Sequence, residues 1–137
     1  MWALYAFLAA FFAGVVSILA KLGLEDINSN LAVMIRTGVV LLAAVAMVFV
    51  TGANAGISDI TRRTWFFLIA SGLATGASWF FFFRALQLGE ASRVVPIDKL
   101  SVVITIIMAF IFLGETITTK GIIGASLITI GTIFLIL

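Results

Sequence analysis

Ser92-Arg-Val-Val-Pro-Ile-Asp-Lys-Leu-Ser-Val-Val-Ile-Thr-Ile-Ile-Met-Ala-Phe-Ile-Phe-Leu-Gly-Glu115 is the stretch on which the reading of this chain turns. It holds the only proline, Pro96, then the adjacent acid and base Asp98 and Lys99. A nearly unbroken apolar run follows and closes with Leu113-Gly-Glu115. Such a run is a membrane span. Asp98 and Lys99 therefore lie where ionised groups are expensive, and their presence needs a reason.

The rest of the chain agrees with that reading. Of its 137 residues 64% are hydrophobic and 10% charged, and the mean hydropathy is +1.32. Soluble domains are nearer half apolar and a quarter charged, so the composition is that of a polytopic membrane protein. The absence of His and Cys removes the usual zinc and iron–sulfur ligands, thiol catalysis and disulfides. Neither a Walker-type phosphate loop nor a GxGxxG turn occurs, and no soluble domain is there to carry one. The expectation is a non-enzyme without metal or cofactor, driven, if at all, by a gradient. Eight basic against six acidic residues are too few and too scattered for nucleic-acid binding. The N-terminal Met1-Trp-Ala-Leu-Tyr-Ala-Phe-Leu8 has no basic n-region and no cleavage segment after it, so it reads as a first span rather than a signal peptide.

Five segments reach spanning length: 2–22, 31–50, 64–86, 92–113 and 121–137. The predicted fold is all-α, five transmembrane helices in a single domain, with loops too short for any extramembrane domain. Asp26, Asn28, Ser29 and Asn30 mark one turn, and Asn54, Gly56, Ser58 and Asp59 another. Trp2, Tyr5 and Trp65 fall at span ends, as in an aromatic belt. Small residues recur four apart at Ala6, Ala10 and Gly14, at Gly72 and Gly76, and at Gly121, Ala125 and Thr129. That spacing lets helix backbones approach closely, within one bundle or between two chains.

Charge does not fix the orientation. Arg62, Arg63 and Lys120 fall on the side of the N-terminus, and Lys21, Arg84 and Arg93 on the other, three against three. Two readings stand: one fixed orientation with a modest bias, or insertion both ways round. With an odd number of spans, two opposed copies form an inverted-topology pair.

Arg36 lies about five residues into the second span, roughly 8 Å deep, and Asp98 and Lys99 about seven into the fourth, roughly 10 Å. Arg84 is near the end of the third. All four fall on the same side, and each central charge costs about 2.5–3.5 kcal/mol on insertion scales. Neighbours in a straight helix point about 100° apart, so Asp98 is expected to find its counter-ion on another span, at Arg36 or Arg84. Asp98, Ser101 and Thr105 share a helical face, and Ser71, Thr75 and Ser78 repeat the pattern beside Trp79 and Phe80–Phe83. Two such stripes would line a wet cleft with an aromatic wall suited to apolar or cationic solutes. The plainer alternatives are that the arginines snorkel, the Asp98 pair only locks the fold, and the hydroxyls bond their own helix carbonyls. Pro96 either kinks the fourth helix or marks its start.

Phe83-Arg-Ala-Leu-Gln-Leu-Gly-Glu-Ala-Ser92, Val95-Pro-Ile97, Phe112-Leu-Gly-Glu115, and Gly121-Ile-Ile-Gly-Ala-Ser-Leu-Ile128 followed by Gly131 resemble the EamA family of the drug/metabolite transporter superfamily. The order and spacing of these motifs on five spans carry the resemblance, which covers essentially the whole chain. It implies export or exchange of small metabolites through two inverted five-helix repeats, with Pro96, Gly114 and Glu115 as architecture at the ends of the fourth helix. Only one repeat is present here. The resemblance therefore points to two copies in a prokaryotic plasma membrane, a homodimer or a pair with a homologous five-helix chain, with the substrate path between them. Related four-helix exporters couple protons through a glutamate in their first span, which this first span lacks. The expected function is a secondary transporter of a small metabolite or drug-like solute by alternating access. The path would be Arg36, Arg84, Asp98 and Lys99 with Ser71, Ser78, Trp79, Ser101 and Thr105. The alternatives are an accessory half-transporter and a structural membrane scaffold.

Overall fold

Asn28 and Thr118 explain where two of the helices begin. Their side-chain oxygens accept the backbone N–H of Asn30 at 2.8 Å and of Gly121 at 3.1 Å, satisfying first-turn donors that a helix leaves open. The computed structural model, which describes residues 1–137, has α1 over Trp2–Gly23, α2 over Ser29–Thr51 and α3 over Arg62–Leu88. α4 covers Ala91–Asp98, α5 Ser101–Met108 and α6 Thr119–Ile136. Because of those caps, α2 and α6 start two residues before the apolar runs at 31 and 121. Two helical stretches close on glycines in the left-handed region, Gly52 (φ 72°) after α2 and Gly114 (φ 66°), where any side chain costs about 1–2 kcal/mol. A short 3-10 segment, Ala53–Asp59, links α2 to α3.

The fold is all-α. Counting Ala91–Leu113 as one crossing, five helices are long and apolar enough to span a membrane, and the chain is an integral membrane protein. Between none and 6% of the residues in these spans are buried. Side chains such as Leu42, Phe67, Leu73, Phe112 and Phe134 are exposed, a surface that suits lipid tails or another apolar helix and not water.

The chain divides into two units. Leu19–Gln87 holds α2 and most of α3, with Leu24, Ser29, Phe83 and Leu86 buried. Met1–Ile18 with Leu88–Leu137 holds α4, α5 and α6; here α6 packs against both α4 and α5.

The fourth crossing differs from the single helix expected over 92–113. It tightens at Lys99 and Leu100, resumes as α5, and widens over Ala109–Leu113 into a π-type turn. Leu100 N–H donates to Ile97 O at 3.0 Å and Val103 N–H to Leu100 O at 3.0 Å, three residues back rather than four. Pro96 lies inside α4, not at its start, and the interruption comes after it. At the far end Glu115 N–H reaches back to Ala109 O at 3.3 Å, across the left-handed Gly114.

Candidate functional site

In Leu19–Gln87 the packing concentrates where α1 ends, α2 begins and α3 ends. Leu24, Phe83 and Leu86 are at most 3% exposed there, and polar side chains tie the backbone around them. Lys21 Nζ donates to Leu86 O at 2.6 Å, and Gln87 Nε2 to Ile27 O at 2.9 Å. The last carbonyls of a helix lack intrahelical donors and carry its negative end, so the Lys21 ammonium is well matched to Leu86 O. Arg84 Nη1 donates to Gln87 Oε1 at 2.9 Å, one turn on, and so steadies the side chain that holds Ile27.

Arg36 comes off α2 at the same unit's aromatic face. Trp79 and Phe83 are one turn apart on α3 and share that face. The Arg36 guanidinium carbon sits 4.1 Å from the Trp79 ring centre and 5.4 Å from that of Phe83. Stacking over two rings stabilises a partly desolvated cation by about 0.5–2 kcal/mol. Part of the expected aromatic wall is thus already covered by a cation of the protein itself. Ser71 and Ser78 are exposed, and Thr75 Oγ1 donates to Ser71 O of its own helix at 2.9 Å. A Cβ built at Gly72 or Gly76 meets nothing within 4 Å, so this small-residue face of α3 is open.

In the second unit Asp98 has a partner that straight-helix geometry disfavours. Lys99 Nζ lies 3.3 Å from Asp98 Oδ2, with Lys99 half exposed and Asp98 about a third. The expected counter-ions, Arg36 and Arg84, instead have the Trp79 and Phe83 rings and the Gln87 amide. The four-carbon stem of lysine is what makes the pair feasible: it curls the ammonium back across the angle between adjacent residues. Ser101, at the start of α5, is exposed. Thr105 lies further along at a recess of about 240 Å³ that it shares with Glu115, Thr116, Thr118 and Gly121. An apolar groove of about 430 Å³ runs beside it between α5 and α6, lined by Val103, Ile107, Ile122 and Ile130 among others.

Thr132 and Lys21 were not singled out by sequence reasoning. Thr132 is 4% exposed and donates from Oγ1 to Pro96 O at 3.2 Å, tying α6 to α4. Lys21 looked like an ordinary boundary cation. The one legible signal is a hydroxyl amid an otherwise apolar helix end, and that signal is shared with Thr129. No three of the acidic side chains gather where they could hold a metal ion.

The EamA-like transporter family model matches residues 1–137. An "uncharacterized transporter in cobO 3′ region" of Sinorhizobium sp is 46% identical over 134 residues, which cover 98% of this chain and 95% of that protein. An uncharacterized protein of Methanocaldococcus jannaschii is 31% identical over 128 residues, covering 93% of this chain and 90% of the relative. Both relatives are therefore about as long as this chain. No solved structure matches it.

Proposed function

Because the chain belongs to the EamA-like transporter family, we propose that it carries a small metabolite or drug-like solute across the cell membrane as a secondary transporter. Two five-helix chains work as a pair, inserted in opposite senses, with alternating access to the path between them. The observation that carries this reading is the Asp98–Lys99 ion pair set beside an interruption in a membrane span. Broken spans place backbone polar groups at mid-membrane, where solutes and coupling ions are handled. A pair of charges that only locked the fold would be replaceable by apolar side chains.

Within this reading Asp98 and Lys99 form a gate that opens and reforms, and Ser101 and Thr105 continue the path along α5. Arg36, held against Trp79, and Arg84 contribute charge on the same side of the membrane, and the hydroxyls of Ser71 and Ser78 on α3 continue the path toward its middle. Pairing is supported by the sparse burial of the spans and by the open face at Gly72 and Gly76. The even split of loop cations and relatives of about the same length as this chain point the same way. A homodimer purified from a host without other family members would separate self-pairing from pairing with a different five-helix chain.

The test is transport by purified protein in proteoliposomes under an imposed pH gradient. Amino acids, polyamines, nucleosides and ethidium are applied in turn, and solute-dependent currents or fluorescence are recorded. A signal seen with the native chain and lost in a normally folded Asp98→Asn variant is the expected result. Traces equal to those of empty liposomes for every solute would sink the reading. Flux that survives Asp98→Asn unchanged would remove the ion pair from the path.

A further inference from the structure

Five hydroxyls in the helices behave alike. Ser17, Thr37, Thr51, Thr75 and Thr129 each donate to the carbonyl four residues back, at 2.7–2.9 Å, the usual habit of serine and threonine in membrane helices. Thr132 departs from it. Its Oγ1 turns away from the carbonyl of Ile128 and donates across to Pro96 O at 3.2 Å.

The Pro96 carbonyl also lacks its usual helical donor, Leu100 N–H. In a regular helix Leu100 N–H would bond to Pro96 O, four residues back. Here it bonds to Ile97 O at 3.0 Å as the chain tightens. A carbonyl oxygen can accept two donors, but here the Pro96 carbonyl receives the Thr132 hydroxyl and not Leu100 N–H, and each donor has an alternative acceptor within its own helical turn. Leu100 N–H has Pro96 O or Ile97 O; the Thr132 hydroxyl has Pro96 O or Ile128 O.

We propose that Thr132 is a positioning residue, a latch that holds the α4–α5 joint in its tightened form by capturing the Pro96 carbonyl. When the hydroxyl swings to Ile128 O, Leu100 N–H takes Pro96 O and the joint straightens. A residue in a 3-10 turn advances 120° and one in an α-helix 100°, so each residue that converts turns α5 by about 20° relative to α4. Ser101 and Thr105 move with α5, whereas Asp98 stays with α4. Both donors keep a partner in both forms, which matters in a span where an unsatisfied group is costly. The pyrrolidine ring of Pro96 adds to this: without an N–H it leaves Ser92 O no helical donor and loosens the turn ahead of the joint. The use of this motion in transport rests on the function proposed above, but the latch itself does not.

The test exploits two features of the composition. Pro96 is the only proline, so carbonyl-13C proline labels that one group, and the chain has no cysteine, so an added one is unique. Solid-state NMR of the protein in liposomes reads the Pro96 carbonyl resonance, which moves with the strength of its hydrogen bond. The resonance is expected to shift in Thr132→Val, which keeps the shape and loses the donor, and to stay in Thr132→Ser. In parallel, Ser101→Cys is placed in each background and its modification by a membrane-impermeant methanethiosulfonate is timed. The rate should change roughly threefold in Thr132→Val, the weight of one hydrogen bond between membrane helices, and not in Thr132→Ser. An unchanged Ser101→Cys rate in Thr132→Val overturns the latch whether or not the resonance moves, because the joint would then keep its form without the hydroxyl. A Thr132→Ser protein that behaves like Thr132→Val overturns it too, since the hydroxyl would then not be the operative group. Neither readout uses a transported solute, so failure of the transporter reading leaves both measurements intact.

Discussion

At Arg36 a charge inside a span is held by rings rather than by a carboxylate, and that arrangement can be weighed. Trp79→Leu removes the nearer ring at 4.1 Å and leaves the guanidinium over Phe83 alone. It should lower stability in detergent by about 1 kcal/mol beyond the loss of packing, read as a fall in melting temperature. In a double-mutant cycle, Arg36→Met should be less destabilising when Trp79 is already Leu, because the two residues share one interaction. Strictly additive effects would mean that the stacking carries no energy. This contact was not legible in the sequence. Arg36 and Trp79 could each be marked as unusual, but 43 positions apart on different helices nothing in their spacing pairs them. Asp98 and Lys99 erred in the other direction. A rule about where side chains point from a straight helix sent Asp98 to search for a remote partner, although its sequence neighbour carries a stem long enough to fold back.

At the scale of the element, helix existence follows from apolar length, and several ends follow from caps. Asn28, Thr118, Gly52 and Gly114 all do locally what their residue types predict. Gly114 allows a direct check. Gly114→Ala forces a side chain into the left-handed region and should cost about 1–2 kcal/mol. Gly124→Ala, inside α6 with nothing within 4 Å of the added carbon, should be neutral or stabilise by up to about 1 kcal/mol. Thermal unfolding of the two variants in the same detergent compares them, and equal melting temperatures would contradict the assignment. The joint between α4 and α5 was harder to foresee. Proline announces a disturbance in its own turn, whereas the shift to shorter hydrogen bonds begins beyond it, at Leu100, beside the Pro96 carbonyl that receives a hydroxyl from α6. Sequence identifies the weak point; only the packed neighbour decides where the chain yields.

For the whole molecule, the balance of loop cations has a consequence that can be moved by mutation. Asn54→Lys with Ser58→Lys adds charge to the side of Arg62 and Arg63, and Glu25→Lys with Asp26→Lys adds it to the opposite side. Each pair should drive nearly all copies into a single orientation. If native copies insert both ways round, single cysteines at Ala53 or Ala91 should be modified from both faces of the membrane in the native background and from one face in each biased variant. If opposed copies form the working unit, each biased variant alone should lose flux and the two expressed together should regain it. Full flux from either one alone would dispose of the antiparallel pair.

The count of crossings has a further consequence for how two such chains can be joined. Five crossings put the end of α6 and the start of α1 on opposite faces of the bilayer. A second copy that begins where the first one finishes is therefore already upside down relative to it. A head-to-tail fusion from Leu137 to Met1 through a short soluble linker should yield the antiparallel pair in one polypeptide. A fusion through one additional membrane helix should force both halves the same way up. For an odd number of spans, simple gene duplication is enough to turn an opposed pair of chains into a single protein.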